Sequence, residues 1–230
     1  MSRLYQHKFL ILIVLLLTLL VAQPQFAEHE GGVTALGIIT SLLQIVAIFS
    51  LSEDRSTRIC SGVFGLPAIL AMWSGMGCPA EVRETVTLWA HGLGAIFFAL
   101  TAMLILRYVL THTVTTDNVL GALAAYLMIG VSMGQWYVVL ESWHPNSFKT
   151  SSEIAHALAN VPTRASCLTY YSFVTLTTSG YGDIIPATPL TRTLAWMEAI
   201  AGQFYLAVLV AGLIGMRVNQ SGLTRQSGSS

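Results

Sequence analysis

The sequence predicts an all-α membrane protein with six transmembrane helices and a shorter, re-entrant segment between the fifth and the sixth. Of its 230 residues, 54% are hydrophobic and only 10% are charged, whereas soluble domains carry roughly 25% charged residues. Six apolar stretches have about the length that a helix needs to cross the hydrocarbon core of a bilayer. They cover residues 9–26, 33–51, 59–78, 85–106, 118–140 and 193–216. Because backbone polar groups find no partner in lipid, these stretches are expected to be helical.

The basic residues predict the orientation, since Lys and Arg are enriched in short cytoplasmic loops. With the N-terminus inside, seven of them fall on the inner side and four on the outer side, which favours an N-in, C-in topology. The inner residues are Arg3, Lys8, Arg55, Arg58, Arg107, Arg217 and Arg225, and the outer residues are Arg83, Lys149, Arg164 and Arg192. Short loops and this composition suit a multi-pass protein of the cell membrane, of the bacterial inner-membrane kind.

The first apolar run has a second interpretation. Arg3 and Lys8, followed by an apolar run that ends at Ala22, are similar to a secretory signal peptide. Gln23 and Pro24 directly follow the candidate cleavage site and weaken that interpretation. A retained helix is therefore favoured.

Several function classes lack support in the sequence. The net charge is zero and no basic block indicates nucleic acid as a partner. The three cysteines form neither a metal-binding pattern nor an even disulfide framework, and no catalytic motif is present, so neither an enzyme nor a cofactor is expected. The fourth span lacks the arginines that voltage sensors repeat along a helix. Its His91 is assigned a packing role in preference to titration near neutral pH.

About fifty residues separate the fifth span from the sixth. Residues 141–149 are polar and predict an exposed loop. Thr150 and Glu153 have the spacing of a capping box and predict a short surface helix that Pro162 ends. Thr163 is expected to cap a second helix over 164–177, about 20 Å long and too short to span. Thr188-Pro189 is a suitable start for the last helix. The pattern predicts a re-entrant segment.

The stretch after the second short helix suits cation binding. Inward-facing backbone carbonyls can replace the hydration shell of a cation. Turning successive carbonyls the same way requires alternating dihedrals, some with positive φ, which glycine adopts without steric cost. Gly180 and Gly182 are two residues apart, as that alternation requires. The C-terminal end of the preceding helix, which is partially negative, would favour a cation at the membrane centre.

The run TLTTSGYGD at 175–183 resembles the potassium-channel signature TxTTxGYGD, in the six-transmembrane, single-pore-loop arrangement. The resemblance covers 165–217, with the fifth span as outer pore helix; the first four spans resemble the family only in number. It implies a homotetramer in the lipid bilayer that conducts K⁺ passively, with permeant K⁺ in place of a cofactor. The sequence does not allow a soluble partner to be inferred. The filter residues would be Thr178, Ser179, Gly180, Tyr181 and Gly182, which bind K⁺ through main-chain oxygens and the Thr178 hydroxyl.

The same resemblance assigns supporting roles. Thr177 and Asp183 would support the filter, Asp183 through hydrogen bonds to the pore helix, while Tyr181 would pack against Tyr170 and Tyr171. The family usually has Val, Ile or Leu where this chain has Ser179, whose small polar side chain packs less tightly behind the filter. Two alternatives therefore stay open, a weakly selective cation channel and a non-conducting membrane scaffold that retains the pore fold.

Two residues of the last span are gating candidates. Gly202 lies where the family often bends its inner helix, and is either a hinge or a small residue that permits close helix packing. Glu198 is a carboxyl group within a span, which marks function by default; it either hydrogen-bonds the pore helix from behind, stays protonated or, less favoured, contacts the ion. The sequence is thus divided into a four-helix portion over 1–110 that lacks an arginine-rich sensor, a pore domain over 117–217 and a short disordered tail over 218–230.

Overall fold

The computed structural model describes residues 8–27, 29–50, 55–111 and 115–227, and these are almost entirely helical. The elements, in chain order, are α1 (Lys8–Phe26), α2 (Glu30–Ser50), α3 (Arg55–Gly77), α4 (Ala80–Thr111), α5 (Thr116–Trp143), β1 (Phe148–Thr150), α6 (Ser152–Ala159), α7 (Val161–Leu176), β2 (Ile184–Pro186) and α8 (Pro189–Ser227). Arg3 and residues 228–230 of the predicted tail lie outside the described residues.

Four helices among the described residues are long and apolar enough to cross a membrane. They are the segments Lys8–Phe26, Gly31–Ser50, Glu81–Thr111 and Thr116–Trp143. Within α3 the apolar part, Ser61–Gly75, is shorter. The chain is therefore an all-helical, multi-pass membrane protein. Spans at α3 and α8, which would bring the number to six, stay predictions.

The main core lies where α1 and α4 pack against α5, with α2 packed against α1. Its fully buried side chains include Phe9 of α1, Leu43 of α2, Phe97 of α4 and Met128 of α5. Phe9 lies against Gly121, where an added Cβ would come within 3.0 Å of the ring. The helix predicted over 9–26 is thus part of the same core as the N-terminal half of α5. The division into a four-helix portion over 1–110 and a pore domain over 117–217 stays a prediction.

The structure confirms only part of the predicted exposed loop over 141–149, because residues 143–146 are exposed but the flanking residues are not. The helix continues to Trp143, and Phe148, which is buried, begins a two-stranded antiparallel sheet with β2. Phe148 pairs with Pro186 and Thr150 with Ile184. The Glu141 carboxylate accepts hydrogen bonds from the backbone N–H groups of Asn146 and Phe148 and so holds the turn. The two strands lie on either side of α6 and α7 in the sequence, so local sequence signals do not link them.

Two helix starts also differ from the predictions. The capping box at Thr150 is wrong, because Thr150 is extended in β1 and the N-cap of α6 is Ser151, without a side-chain hydrogen bond. The second short helix begins at Val161, so Pro162 lies in its first turn, where the missing N–H is not needed. Thr163 is inside α7 and donates to the Ala157 carbonyl at 2.6 Å.

The last helix begins as predicted and ends later. The Thr188 hydroxyl accepts the Thr191 N–H at 3.2 Å, directly before Pro189 opens α8. The helix then continues to Ser227, so the tail over 218–230, predicted to be disordered, is helical as far as that residue. No proline follows Pro189 to interrupt the backbone hydrogen bonds.

Candidate ion-conducting site

The short helix α7 lies unusually close to α5 because two glycines of α5 face it. A Cβ added at Gly130 would lie 2.7 Å from the Phe173 ring, and one at Gly134 would lie 2.7 Å from Cα of Thr169. Small residues let helix backbones approach in this way within membranes. These contacts fix the position of α7, and with it the start of the glycine-containing segment.

An aromatic cluster supports α7 from behind. The rings of Tyr137, Phe148 and Tyr171 meet edge to face with centroids 5.1–5.4 Å apart, a favoured geometry for aromatic pairs. Tyr171 is buried in this cluster, whereas Tyr181 is 73% exposed. The expected packing of Tyr181 against Tyr171 is therefore wrong within one chain, because α7 turns Tyr171 toward α5.

After α7 the backbone alternates in handedness. Thr178, Gly180 and Gly182 have φ values of 58°, 55° and 78°, while Ser179 and Tyr181 between them do not have positive φ. The predicted conformation of the two glycines is confirmed. Positive φ at Thr178 was not predicted, and for a β-branched residue it is a strained conformation of the kind that concentrates at functional sites.

The inner end of this segment is anchored to the last turn of α7. The N–H groups of Ser179 and Gly180 both donate to the Val174 carbonyl, at 2.9 and 3.3 Å. Thr177 Oγ1 donates to the Phe173 carbonyl at 2.7 Å and lies 3.0 Å from Ser179 Oγ. Because the Thr177 hydroxyl carries one proton, Ser179 is the donor between the two. Ser179 thus forms a polar contact behind the segment, at a position where an aliphatic residue packs in the signature.

Asp183 holds the outer end. Tyr170 of α7 donates its hydroxyl proton to Asp183 Oδ2 at 2.7 Å, and the Ile184 N–H donates to Oδ1 at 3.0 Å. The predicted hydrogen bond from Asp183 to the preceding short helix is therefore present. From Ile184 the chain enters β2, so the sheet with β1 also restrains this end.

The helix α8 contacts the C-terminal half of α7 at two positions. Gly202 is buried against the C-terminal end of α7, where an added Cβ would overlap the Leu176 carbonyl oxygen. This approach favours the packing interpretation of Gly202. Glu198 accepts a hydrogen bond from Tyr137 of α5 at 2.6 Å, and its Oε1 lies 2.5 Å from Ser172 Oγ of α7, so its predicted contact with the short helix is present.

Two residues at the site were not predicted. Gln203 donates through Nε2 to Thr178 Oγ1 at 3.1 Å; an amide side chain beside Gly202 in an apolar span was the available signal. Arg164, in the first turn of α7, donates to the carbonyl oxygens of Leu158 and Ala159 at 3.0 and 3.2 Å and to Ser142 Oγ at 2.8 Å. An arginine so buried ties α5, α6 and α7 together.

Arg164 also reaches the four-helix portion. Its guanidinium lies 3.6 Å from the Glu84 carboxylate at the start of α4. Glu84 is 61% exposed, and exposed ion pairs contribute little to stability. The hydrogen bonds of Arg164, not this ion pair, hold α7 in place.

Comparisons with known proteins show what this part of the chain resembles. A family model described as an ion channel matches residues 122–218, the part that contains most of α5, all of α7, the glycine-containing segment and the apolar half of α8. This part of the chain is therefore similar to an ion channel domain.

A match to a curated protein is more specific about the kind of channel. The chain is 33% identical, over 92 residues, to the two pore potassium channel c of Oryza sativa subsp. japonica. The match covers 40% of this chain and 17% of the relative, so the chain spans less than one fifth of the length of that protein. No solved structure matches. Together the two findings support a family of the potassium-channel type.

Proposed function

We propose that this protein is the pore-forming subunit of a homotetrameric, K⁺-selective channel that conducts K⁺ passively across the cell membrane. The observation that carries the proposal is the alternation of positive φ at Thr178, Gly180 and Gly182. An extended chain with this alternation turns successive carbonyls toward one side, where they can replace the water around a K⁺ ion. The filter residues are then Thr178, Ser179, Gly180, Tyr181 and Gly182, with Thr177, Asp183, Tyr170 and Tyr171 as their support.

Exposure of this segment supports an assembly of four chains. Residues 177–182 are exposed in the single chain, although they belong to a non-helical segment whose polar backbone cannot face lipid. One such segment per chain becomes a closed ring only when copies are related by a symmetry axis. Apolar side chains of α8 are also exposed and available to a neighbouring chain or to lipid: Trp196, Ile200, Phe204 and Val208.

The proposed arrangement in the membrane has six spans, with α7 and the filter as a re-entrant segment between α5 and α8. Both termini face the cytoplasm, as the distribution of Lys and Arg indicates. The relative's description as a potassium channel agrees with K⁺ as the permeant ion. Gly202 and Glu198 are the gating candidates of this arrangement.

Ion flux tests the proposal. Purified protein in K⁺-loaded liposomes is expected to dissipate a K⁺ gradient and to be blocked by Ba²⁺. Gly180→Ala is expected to abolish the flux, because alanine is strained at a φ of 55°. Gly62→Ala is the matched control, since an added Cβ there meets no atom within 4 Å and the glycine is helical. Absence of flux at every voltage and pH would reject conduction and leave the non-conducting scaffold.

Ser179 favours the second candidate, a weakly selective cation channel. Its hydroxyl group donates to Thr177 at 3.0 Å, where the signature has an aliphatic side chain that packs. Reversal potentials in mixed K⁺ and Na⁺ separate the two functions. A strongly negative potential with K⁺ inside and Na⁺ outside supports K⁺ selectivity, whereas a value near zero supports the weakly selective channel.

A further inference from the structure

A buried chain of hydrogen bonds joins α5, α7 and α8 behind the filter. Glu198 of α8 is 2% exposed, and both Tyr137 and Ser172 are fully buried. Glu198 Oε2 accepts the Tyr137 hydroxyl proton at 2.6 Å, and its Oε1 lies 2.5 Å from Ser172 Oγ. Ser172 Oγ lies in turn 2.7 Å from the Gly130 carbonyl oxygen. This series of hydrogen bonds therefore leads from α5 to α8, from α8 to α7, and from α7 back to α5.

The number of protons available to these hydrogen bonds assigns the protonation state of Glu198. The Gly130 carbonyl has no proton to donate, and the Ser172 hydroxyl has one. Ser172 makes two short contacts, to Gly130 and to Glu198, and each requires a proton between two oxygen atoms. The second proton has to come from Glu198. With a proton on Oε1, Glu198 donates to Ser172, Ser172 donates to Gly130, and Tyr137 donates to Oε2, so that every partner is satisfied.

The charges around Glu198 agree with a neutral group. The titratable side chains that face it are tyrosines: Tyr126 and Tyr137 from α5 and Tyr171 from α7. The strand β2, which also packs against α8, consists of Ile184–Pro186 and contributes none. Within the described part of the chain, no basic side chain forms an ion pair with Glu198. A buried carboxylate without a counter-charge is costly, so such groups tend to keep their proton.

We propose that Glu198 carries a proton in the conducting channel and that its neutral carboxyl group is a positioning group for the pore helix. This inference rests on the proposed function. Loss of the proton leaves Ser172 with one proton for two acceptors, so that either the contact with Gly130 or the contact with Glu198 becomes a repulsion between oxygens. Since Ser172 lies six residues before Thr178 on the helix that anchors the filter, K⁺ flux is lost as the pH rises.

Glu198→Gln tests the protonated state. Glutamine reproduces a protonated glutamate, because its NH₂ group donates to Ser172 and its carbonyl accepts from Tyr137. The matched control is Glu141→Gln. Glu141 is also buried, but both of its partners are N–H donors, so an amide there places donor against donor. Glu198→Gln is expected to retain the thermal stability of the tetramer, and Glu141→Gln is expected to lower it.

The pH profile of K⁺ flux in liposomes is the functional readout. Flux through the wild-type protein is expected to fall with rising pH, by at least about tenfold for each unit above its midpoint, since each of the four subunits carries one titrating Glu198. The Glu198→Gln profile is expected to lack that fall. Identical profiles for the two proteins would overturn the inference, as would loss of flux by Glu198→Gln at neutral pH in an intact tetramer.

Infrared spectroscopy tests the protonation of Glu198 independently of whether the protein conducts K⁺. The carbonyl stretch of a protonated carboxyl group is expected in the wild-type protein at neutral pH and is expected to be missing from Glu198→Gln, whether or not the protein conducts. Absence of that difference would refute protonation of Glu198. The band together with no flux at any pH would support protonation and reject the channel function.

Discussion

Replacement of Gly202 by alanine tests the closest approach in the site. A Cβ at this position would overlap the carbonyl oxygen of Leu176, the last residue of α7. Because that oxygen belongs to the backbone, the overlap is relieved only when α8 moves away from α7. Adding a methyl group to a packed interior costs about 1–3 kcal/mol. Alanine within a helix is more favourable than glycine by roughly 0.5–1 kcal/mol, which offsets part of that cost.

Gly212→Ala provides the matched control in the same helix, because an added Cβ there meets no atom within 4 Å. Both variants gain the same helix propensity, so the difference between them isolates the overpacking, about 1–3 kcal/mol. For a chain of this size that difference corresponds to a melting temperature lower by roughly 2–12 °C. The assay is thermal unfolding of the purified protein, followed by K⁺ flux, which Gly202→Ala is expected to lose.

Equal melting temperatures for Gly202→Ala and Gly212→Ala would refute the packing argument. A third result distinguishes the hinge: if Gly202→Ala keeps the stability of the control but changes the open probability in single-channel recordings, Gly202 acts as a bending point and not as a contact. The geometry at Leu176 predicts the loss of stability.

Three further predictions concern the filter. Ser179→Val removes the hydroxyl contact with Thr177 and supplies an aliphatic side chain, so the K⁺ to Na⁺ permeability ratio is expected to rise; an unchanged reversal potential would contradict this. Tyr170→Phe removes the 2.7 Å hydrogen bond to Asp183, worth about 1 kcal/mol, and K⁺ currents are expected to decay faster during prolonged recording, whereas wild-type decay would count against a role for this bond. Gln203→Leu removes the donor to Thr178 and is expected to lower K⁺ flux without lowering the melting temperature; a parallel loss of stability would indicate a purely structural role.

Much of the fold follows from local signals. Long apolar runs predicted the helices that the structure contains, because a segment in lipid has to satisfy its own backbone hydrogen bonds. The spacing of Gly180 and Gly182 predicted their positive φ for a similar reason, since glycine adopts that conformation at no steric cost. Thr188-Pro189 predicted the start of α8. In each of these examples the signal and the structure lie within a few residues of one another.

The errors lie where a local signal competes with a distant contact. Thr150 has the spacing of a helix cap, but pairing with Ile184 holds it in a strand. Residues 141–149 are polar and resemble an exposed loop, but Phe148 is buried among aromatic rings from α5 and α7. A short stretch of sequence does not show whether its local signal or a distant contact determines the structure.

The sequence by itself determined the class of this protein and the position of its candidate filter, because hydrophobic length and glycine spacing act along the chain. The tertiary structure decided what surrounds that filter. Gly202 contacts Leu176 because α8 packs against the end of α7. Thr178 accepts a hydrogen bond from Gln203, which lies 25 residues further along the sequence. The proton proposed on Glu198 follows from the hydrogen-bond donors and acceptors of α5, α7 and α8, which only the tertiary structure brings together. Such partners are set by packing in three dimensions, which no spacing in the sequence encodes.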